Sequence, residues 1–171
     1  EERLGLFGLK LHPQKTRRVV LTRGQEGFDF LGCHLHKRMS GRLWQQKGLK
    51  RYYLQNWPGR KAMNRVRDRV RELTPRRRCH RDVRSVIAEL NPVLRGWGQY
   101  FQTGNAANPF IDVDAYVVKR LKGLRLKRAG RNLRAGQAQR WDRDYFESLG
   151  LHRLRGTIRY PGKPPGSRRT A

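Results

Sequence analysis

Two close pairs of carboxylates have the residue type and spacing that could hold metal ions. They are Asp112 with Asp114 and Asp142 with Asp144. Phosphoryl transfer by two metal ions requires acidic ligands that hold the ions roughly 4 Å apart. Each pair, however, stands where a helix is predicted to begin, and there an acid caps free N–H groups and complements the helix dipole. We therefore expect helix caps at these positions and no metal site.

The two cysteines each stand beside histidine, as Cys33-His34-Leu35-His36 and Cys79-His80. A structural zinc site usually uses tight ligand pairs such as C-x2-C, and neither cluster has one. Two cysteines are also too few for a disulfide scaffold, which favours a reducing cytosol. We expect Cys33 to be a strand residue, His80 to be a polar loop residue, and neither to bind zinc.

Other catalytic patterns are missing from the sequence. There is no Walker loop, no GxSxG and no HExxH, which are the motifs of phosphate binding, serine hydrolysis and zinc proteolysis. His12 precedes Pro13 in a polar stretch that offers it no acid or nucleophile as a partner. From its residues alone, the chain is a binding module and not an enzyme.

Positive charge dominates the composition. The 171 residues include 40 Lys and Arg against 13 Asp and Glu, a formal net charge of +27. Ten cations lie between Asp29 and Asp68 and nine between Asp114 and Asp142, with no acid in either stretch. Self-repulsion of this size opposes compaction, and a polyanionic partner relieves it. Because a phosphate backbone is the commonest polyanion, we expect a nucleic acid as the partner.

The elements that position these charges change type at Gly59. Before it, β-branched and alternating residues predict two strands of an antiparallel hairpin, Lys15–Leu21 and Phe28–Leu35, joined by a turn over Thr22–Gly27. After it, apolar residues recur at helical spacing. The chain is therefore expected to be β at its start and α beyond.

Four helices are predicted after Gly59. The first carries Met63, Val66, Val70 and Leu73 and stops at Pro75, and the second carries Val83, Val86, Ile87 and Leu90. Asn91-Pro92 is expected to end that helix and cap the third, which runs to Gly104. Its Trp97, Tyr100 and Phe101 share an apolar face, so we expect them in the core and not stacked on bases. Asp112 is expected to begin the fourth helix.

The ends of the chain are polar and basic. The start at Glu1 lacks an initiator Met, so we expect a chain cut from something longer or processed, and no signal peptide is visible. No apolar run approaches the roughly 20 residues that a membrane helix needs. The following are also predicted: a basic linker at 129–139, a short helix after Asp142, a strand or irregular arm at 151–160, and a disordered tail from Pro161.

Four phrases in this sequence resemble those of group II intron reverse transcriptases, also called maturases. Leu9–Arg17 resembles "L-x-L-H-P-E-K-T-R", and Gly27–Gly32 resembles "G-F-D/T-F-L-G". Leu90–Phe101 is similar to the hallmark of the maturase-specific or thumb domain, "L-N-P-x-x-R-G-W-x-x-Y-F". Phe110, Asp114 and Lys119-Arg120-Leu121 echo the "F-x-x-x-D-x-x-V-x-x-R-L" that follows. The matches keep the family's order and cover roughly residues 9–128.

The resemblance implies an α+β chain in three parts. Residues 1–57 would be the end of the polymerase palm with a β-hairpin that presents the primer. Residues 58–128 would be a thumb bundle of three to four helices, and residues 129–171 a basic linker, short helix and tail. The family's Tyr-Ala-Asp-Asp motif and zinc endonuclease are absent from this sequence. The chain should therefore not polymerise DNA alone, and it has no expected catalytic residue or cofactor, the Mg²⁺ belonging to the parent polymerase.

The resemblance also implies partners and a place of action. They are intron RNA, an RNA–DNA or template–primer duplex, and the upstream fingers and palm, in support of splicing, reverse transcription and retrohoming. The setting would be a bacterial cytoplasm, with association to the nucleoid while the intron is mobile. Composition alone would favour a second hypothesis, a structural RNA-binding protein of the ribosomal type. A third is one subunit of a split reverse transcriptase.

Ten cations are predicted to contact nucleic acid. Those on the first and fourth predicted helices would form two parallel stripes if the helices pack side by side: Lys61, Arg65, Arg69, Lys119, Arg120, Lys127 and Arg128. From their position in the family, Lys15 and Arg17 should lie near the polymerase active site, and the adjacent Arg18 is included with them. The other possibility for the helix faces is ordinary solvated surface.

Overall fold

The computed structural model describes residues 7–8, 10, 12, 18–21, 24, 26–134 and 136–159. A three-stranded antiparallel sheet comes first and helices follow, so the predicted α+β class is confirmed. The chain divides into two compact units, residues 1–28 with 36–54 and residues 29–35 with 55–171. The predicted three-part division, with boundaries after residues 57 and 128, stays a prediction.

The strands are β1, Gly27–Phe30, β2, Cys33–Met39, and β3, Tyr52–Pro58, and they lie in the order β1-β2-β3. A two-residue turn joins β1 to β2, with φ of 47° at Leu31 and 77° at Gly32. Two successive positive φ values match the twist of an antiparallel hairpin. Cys33 is a strand residue, as predicted.

The two strands predicted for the hairpin, Lys15–Leu21 and Phe28–Leu35, are not the strands of the structure. Residues 18–21 form no strand, and Lys15 to Arg17 lie outside the described residues. Phe28–Leu35 is not one strand, because the turn at Leu31-Gly32 divides it. Gly32 made this possible, since glycine adopts positive φ at no steric cost. The sequence pattern of alternating residues gave no sign of which glycine would turn the chain.

The unit formed by residues 1–28 and 36–54 contains helix α1, Gly41–Lys47. Ser40 caps it by accepting a hydrogen bond from the Leu43 N–H at 3.3 Å. Gly48 ends it in the left-handed conformation, and its N–H bonds back to the last turn. The His36 ring lies 3.0 Å from the Gly24 carbonyl oxygen, which ties β2 to the segment before the sheet.

The other unit is a helical bundle built from α2, Arg60–Leu73, α3, Val83–Phe101, and α4, Ala107–Ala129. All three pairs of these helices are in contact. Each of the three contributes fully buried side chains: Val70, Val86, Ile87, Leu90, Leu94, Phe110, Val113, Val117 and Leu121. Burial of an apolar stripe on each helix is what the 3.6-residue period predicted.

Helix α3 runs through Asn91-Pro92, so the predicted break there is wrong. Leu90 and Leu94 on either side of it are completely buried, and they hold one continuous stripe against the core. Pro92 has no N–H to donate to the carbonyl of Ala88, one turn earlier in the helix. Both residues lie on the exposed side of α3, where water can bond this carbonyl. Asn91 does not cap a helix, because its side chain bonds to Gly150 and His152.

The acidic pairs differ in what they do. Helix α4 begins at Ala107 and not at Asp112, and Asp114 is buried with both carboxylate oxygens bonded to backbone N–H groups. Capping is therefore wrong for the first pair. For the second pair it is confirmed, because Asp142 accepts a 2.9 Å hydrogen bond from the Tyr145 N–H at the start of α5, Arg143–Ser148.

The aromatic face of α3 is only partly in the core. Phe101 is buried, and Trp97 packs against it and Phe110 with ring centroids 5.0 and 5.4 Å away. Tyr100 is 58% exposed, and its hydroxyl donates to the Leu31 carbonyl at 2.8 Å. The prediction of core packing is therefore wrong for Tyr100, because one residue turns the side chain about 100° around a helix.

The chain after α4 is mostly irregular. The predicted basic linker forms two short 3-10 turns, Gly130–Asn132 and Gln137–Arg140. Residues 151–159 form the irregular arm that was one of the two alternatives, and no strand. The predicted disordered tail lies outside the described residues.

Candidate nucleic-acid interface

The cations of α2 fall into two groups along the helix. Arg60, Lys61, Arg65 and Arg67 occupy its first two turns, where there is no acid, and none of them has an ion-pair partner among the described residues. Two acids follow in the second half. Arg69 pairs with Glu72 and Arg71 with Asp68, both at 2.8 Å. Available positive charge is therefore concentrated at the start of the helix.

The N-terminal end of α2 carries positive charge, although the dipole of a helix favours negative charge there. The first turn holds two cations, Arg60 and Lys61, and no acid, and the cap residue Gly59 has no side chain to bond the free N–H groups. Cations at the positive end of the helix dipole are unfavourable, by a few tenths to about 1 kcal/mol each. An anion bound there would relieve this repulsion and pair with the cations.

Three of the six cations on α4 are bonded into the protein. Arg120 reaches the C-terminal end of α2, where its Nε donates to Thr74 Oγ1 at 3.0 Å and its Nη2 to the Thr74 carbonyl at 2.5 Å. Thr74 is buried, so this guanidinium satisfies a helix end that water does not reach. Arg128 donates to the Arg81 carbonyl at 3.4 Å.

The third of these cations is Arg125. Its guanidinium lies 4.9 Å above the buried ring of Trp141, close enough for a cation–π interaction. Its Nε is buried and has no hydrogen-bond partner within the described structure. By contrast, Lys119 and Lys127 are exposed and have no ion pair with any described residue.

A 3-10 turn over Arg76–His80 adds cations that the sequence analysis did not select. The turn packs against α4. Arg78 and Arg81 both bind Glu89 at 2.7 Å, and their hydrogen bonds, that of Arg81 first, lower the pKa of this carboxyl. Arg76 and Arg77 are exposed without such a partner among the described residues. The run Arg76-Arg77-Arg78 was the signal that could have found them.

In the described part of the chain, a metal ion would need clustered His, Cys, Asp or Glu side chains, and a spanned bilayer would need a long apolar helix. No three of its His, Cys, Asp and Glu side chains come close enough together to bind a metal ion. Burial raises the pKa of the Cys33 thiol. None of the helices there has both the length and the apolar composition to span a bilayer.

Residues 63–145 match a known family, described as Group II intron, maturase-specific domain. This part of the chain is a group II intron maturase-specific domain. The match begins at Met63, just after Arg60 and Lys61 of α2, and it includes the rest of that helix, all of α3 and α4, and the start of α5. The match supports involvement in group II intron splicing and implies intron RNA as a partner. No curated protein and no solved structure matches the chain.

The maturase-specific domain brings most of the predicted contact residues onto one bundle. Helices α2 and α4 pack against each other, which is the condition that the two-stripe prediction set. Lys61, Arg65, Lys119 and Lys127 are exposed there, whereas Arg69, Arg120 and Arg128 have protein partners. Arg18 is exposed in the other unit, and Lys15 and Arg17 lie outside the described residues. That these residues contact nucleic acid stays a prediction.

Proposed function

We propose that the helical bundle that contains the maturase-specific domain binds the phosphate backbone of folded intron RNA. The main contact would be the first two turns of α2, here called its front face, which carry Arg60, Lys61, Arg65 and Arg67. The observation that carries this proposal is the arrangement of charge on α2, where four cations without acidic partners among the described residues occupy the first two turns, two of them at the positive end of the helix. Lys119 and Lys127 of α4 would extend the contact.

Phosphate contacts position a protein on RNA without selecting a sequence. The selectivity of this domain would therefore come from the shape of the folded intron, which sets where phosphates meet the cations. The same front face would hold an RNA–DNA or template–primer duplex during reverse transcription and retrohoming, because a duplex offers the same phosphates. The domain would work beside upstream fingers and palm, in a bacterial cytoplasm and on the nucleoid while the intron is mobile.

Polymerisation would need the carboxylates of the family's Tyr-Ala-Asp-Asp motif, which this sequence lacks. The Mg²⁺ of the parent polymerase would therefore be held by upstream residues. A split reverse transcriptase is tested by mixing the chain with an upstream palm fragment and assaying cDNA synthesis. A ribosomal protein would be equally basic, and the maturase-specific domain is the reason to favour intron RNA.

The test is a salt titration of binding by the full chain, with a folded group II intron RNA and an unrelated folded RNA of equal length. We expect Lys61→Gln/Arg65→Gln to lower the slope of log K against log salt by about two. Affinity near 0.15 M salt should then fall roughly 30-fold, as loss of two phosphate contacts implies. An unchanged slope would refute the assignment to α2.

The matched control is Lys47→Gln/Lys50→Gln, which removes the same charge from the end of α1 and the loop after it, in the other unit of the chain. We expect its slope to equal that of the wild type. If the intron RNA keeps a large advantage over the unrelated RNA at high salt, the domain recognises RNA shape. If the two curves superimpose, it is a general phosphate-binding surface.

A further inference from the structure

Segment 150–159, here called the strap, follows α5 and lies along α3. Asn91 holds its start, since the Asn91 amide donates to the Gly150 carbonyl and its oxygen accepts from the His152 N–H, both at 2.8 Å. The Arg159 N–H donates to the Gln102 carbonyl at 2.8 Å and holds its end. The strap therefore runs in the same direction as the helix, over about three turns.

A carboxylate of α4 holds the middle of the strap. Asp114 is 6% exposed, and its two oxygens accept hydrogen bonds from the N–H groups of Leu154 and Arg155, each at 3.0 Å. Charge-assisted hydrogen bonds of this kind are stronger than neutral ones. Because both oxygens accept from backbone donors of the strap, Asp114 fixes the position of Leu154 and Arg155.

A glycine in α3 makes room for the strap. Asn91, Arg95, Gly98 and Gln102 are spaced by four, three and four residues, which places them on one stripe of the helix. Leu154 is fully buried against this stripe, and a Cβ at position 98 would lie 2.6 Å from its Cδ2. Any side chain at position 98 would force Leu154 to shift.

The residues that hold the strap, Asn91, Gly98 and Asp114, are here called its seat. The seat lies inside the matched family domain, whereas the strap itself lies beyond it. Asn91, Gly98 and Asp114 fall within residues 63–145, and the strap begins at Gly150. Asn91 and Asp114 are also among the residues that carried the resemblance in the sequence. In this structure their side chains are directed at a segment that the family match does not include.

The docked strap displays cations on its outer side. Leu151 and Leu154 are buried, whereas Arg155 and Arg159 are exposed and have no ion pair in the described part of the chain. Arg95 is exposed on the stripe beneath, close to His152. Burial, and after it the charge of Arg95, lowers the pKa of His152, while Asp114 acts in the opposite direction.

We propose that the strap, held by Asn91, Gly98 and Asp114, presents Arg155 and Arg159 together with Arg95 as a second phosphate-binding surface for RNA. This proposal rests on the proposed function, because it assumes an RNA partner. Glu147 pairs with Arg153 of the strap, whereas Arg95, Arg155 and Arg159 are exposed and have no ion pair with any described residue. Three available cations, two of them on a backbone held by hydrogen bonds, fit a phosphate backbone better than a protein partner. Fixing the strap loses its conformational freedom before binding, so less is lost when RNA binds.

The first experiment compares Arg155→Gln/Arg159→Gln in the full chain with Lys61→Gln/Arg65→Gln and with the Lys47→Gln/Lys50→Gln control. We expect the strap variant to lower the salt slope by about two and the affinity roughly 30-fold near 0.15 M salt, as for two phosphate contacts. If it matches the control while the α2 variant weakens binding, the strap proposal is wrong and the proposed function stands. If wild-type binding has no salt dependence, both fail.

The second experiment tests the seat. Hydrogen exchange of the Leu154 and Arg155 amides should speed up at least tenfold in Asp114→Asn, since an amide offers one acceptor and a hydrogen-bond donor where two acceptors are needed. Asn91→Ala, a milder change, should speed exchange at His152. In Asn91→Ala the strap arginine substitutions should weaken binding by less than they do in the wild type. Full additivity would show that docking does not position the arginines.

Discussion

Helices α2 and α4 have the same charge composition, and they use it differently. Each carries six Lys or Arg and two Asp or Glu. On α2 the acids neutralise cations of the second half and leave the front face available. On α4 the three arginines bond or stack within the protein, and the three lysines have no ion pair in the described structure. Charge count thus predicts the class of partner but not which cations meet it.

Side-chain chemistry explains the division on α4. The guanidinium group offers a planar fork of donors and stacks on aromatic rings, so it is suited to carbonyl and indole partners inside the fold. Arg120 and Arg125 use these two properties in turn. An ammonium group is more strongly hydrated and is left at the surface, as Lys119 and Lys127 are.

The largest effect is expected for Arg120→Ala, which tests whether α4 arginines are structural. Removal of its hydrogen bonds would leave the buried Thr74 carbonyl and hydroxyl without this partner. We expect the free energy of unfolding, measured by urea denaturation, to fall by roughly 2–3 kcal/mol. Lys119→Ala, the exposed neighbour, should change it by less than about 0.5 kcal/mol.

RNA binding by Arg120→Ala should be measured well below its midpoint of unfolding. We expect the salt slope to match that of the wild type, because the guanidinium is engaged with Thr74. A slope lowered by about one with unchanged stability would instead place Arg120 at a phosphate. Arginines of both α2 and α4 would then be available to RNA, which would contradict the difference drawn between the two helices.

Arg125→Met should lower the free energy of unfolding by less than Arg120→Ala does. The substitution keeps an apolar stem over Trp141 and removes both the cation–π interaction and a buried Nε without a described partner, and these two changes act in opposite directions. We expect a loss of about 1 kcal/mol in the free energy of unfolding. Tryptophan fluorescence follows the change at the ring. Arg125→Lys keeps the charge, and equal stability to Arg125→Met would contradict a cation–π role.

The same division explains what the sequence could predict. Helix α2 was predictable because its apolar residues keep one period from Met63 to Leu73 and Pro75 follows. The partners of Arg120 and Asp114 were not, because Thr74 and Leu154 lie 46 and 40 residues away along the chain. Local capping is a sound expectation for an acid near a helix start, and it held for Asp142. For Asp114 a long-range partner prevailed.

The continuous helix α3 teaches the same lesson about local signals. Asn-Pro is a frequent helix start, but two conditions outside the dipeptide decided the outcome. One is the buried stripe through Leu90 and Leu94, and the other is the strap that binds Asn91. The candidate RNA contacts were predictable as a set from acid-free stretches. Their division into available and engaged cations required the packing of the bundle.

Glu72→Gln tests whether the second half of α2 can contact RNA once one of its two acids is removed. The substitution removes the partner of Arg69 and leaves that cation available next to the front face. We expect RNA affinity to rise about two- to threefold, with a loss of a few tenths of a kcal/mol in stability, the usual value of an exposed pair. Asp144→Asn, an exposed acid on α5 that has no ion pair with any described residue, is the control. Equal affinities would mean that RNA does not reach the second half of α2.

The smallest effect on stability is expected at the 3-10 turn. Like the arginines of α4, Arg78 of this turn and Arg81 after it have partners within the protein. Hydrogen bonds from Arg81 and Arg78 lower the pKa of Glu89 below its ordinary 4.5. The folded state therefore binds this proton less readily than the unfolded chain, so the ion pairs stabilise above pH 4.5 and the gain disappears as pH falls through the lowered pKa. The melting temperatures of the wild type and Glu89→Gln should differ at pH 7 and converge in acid. A constant difference would mean that the carboxyl acts through shape and not charge, and Arg78 and Arg81 would then count with Arg76 and Arg77 as cations available to RNA.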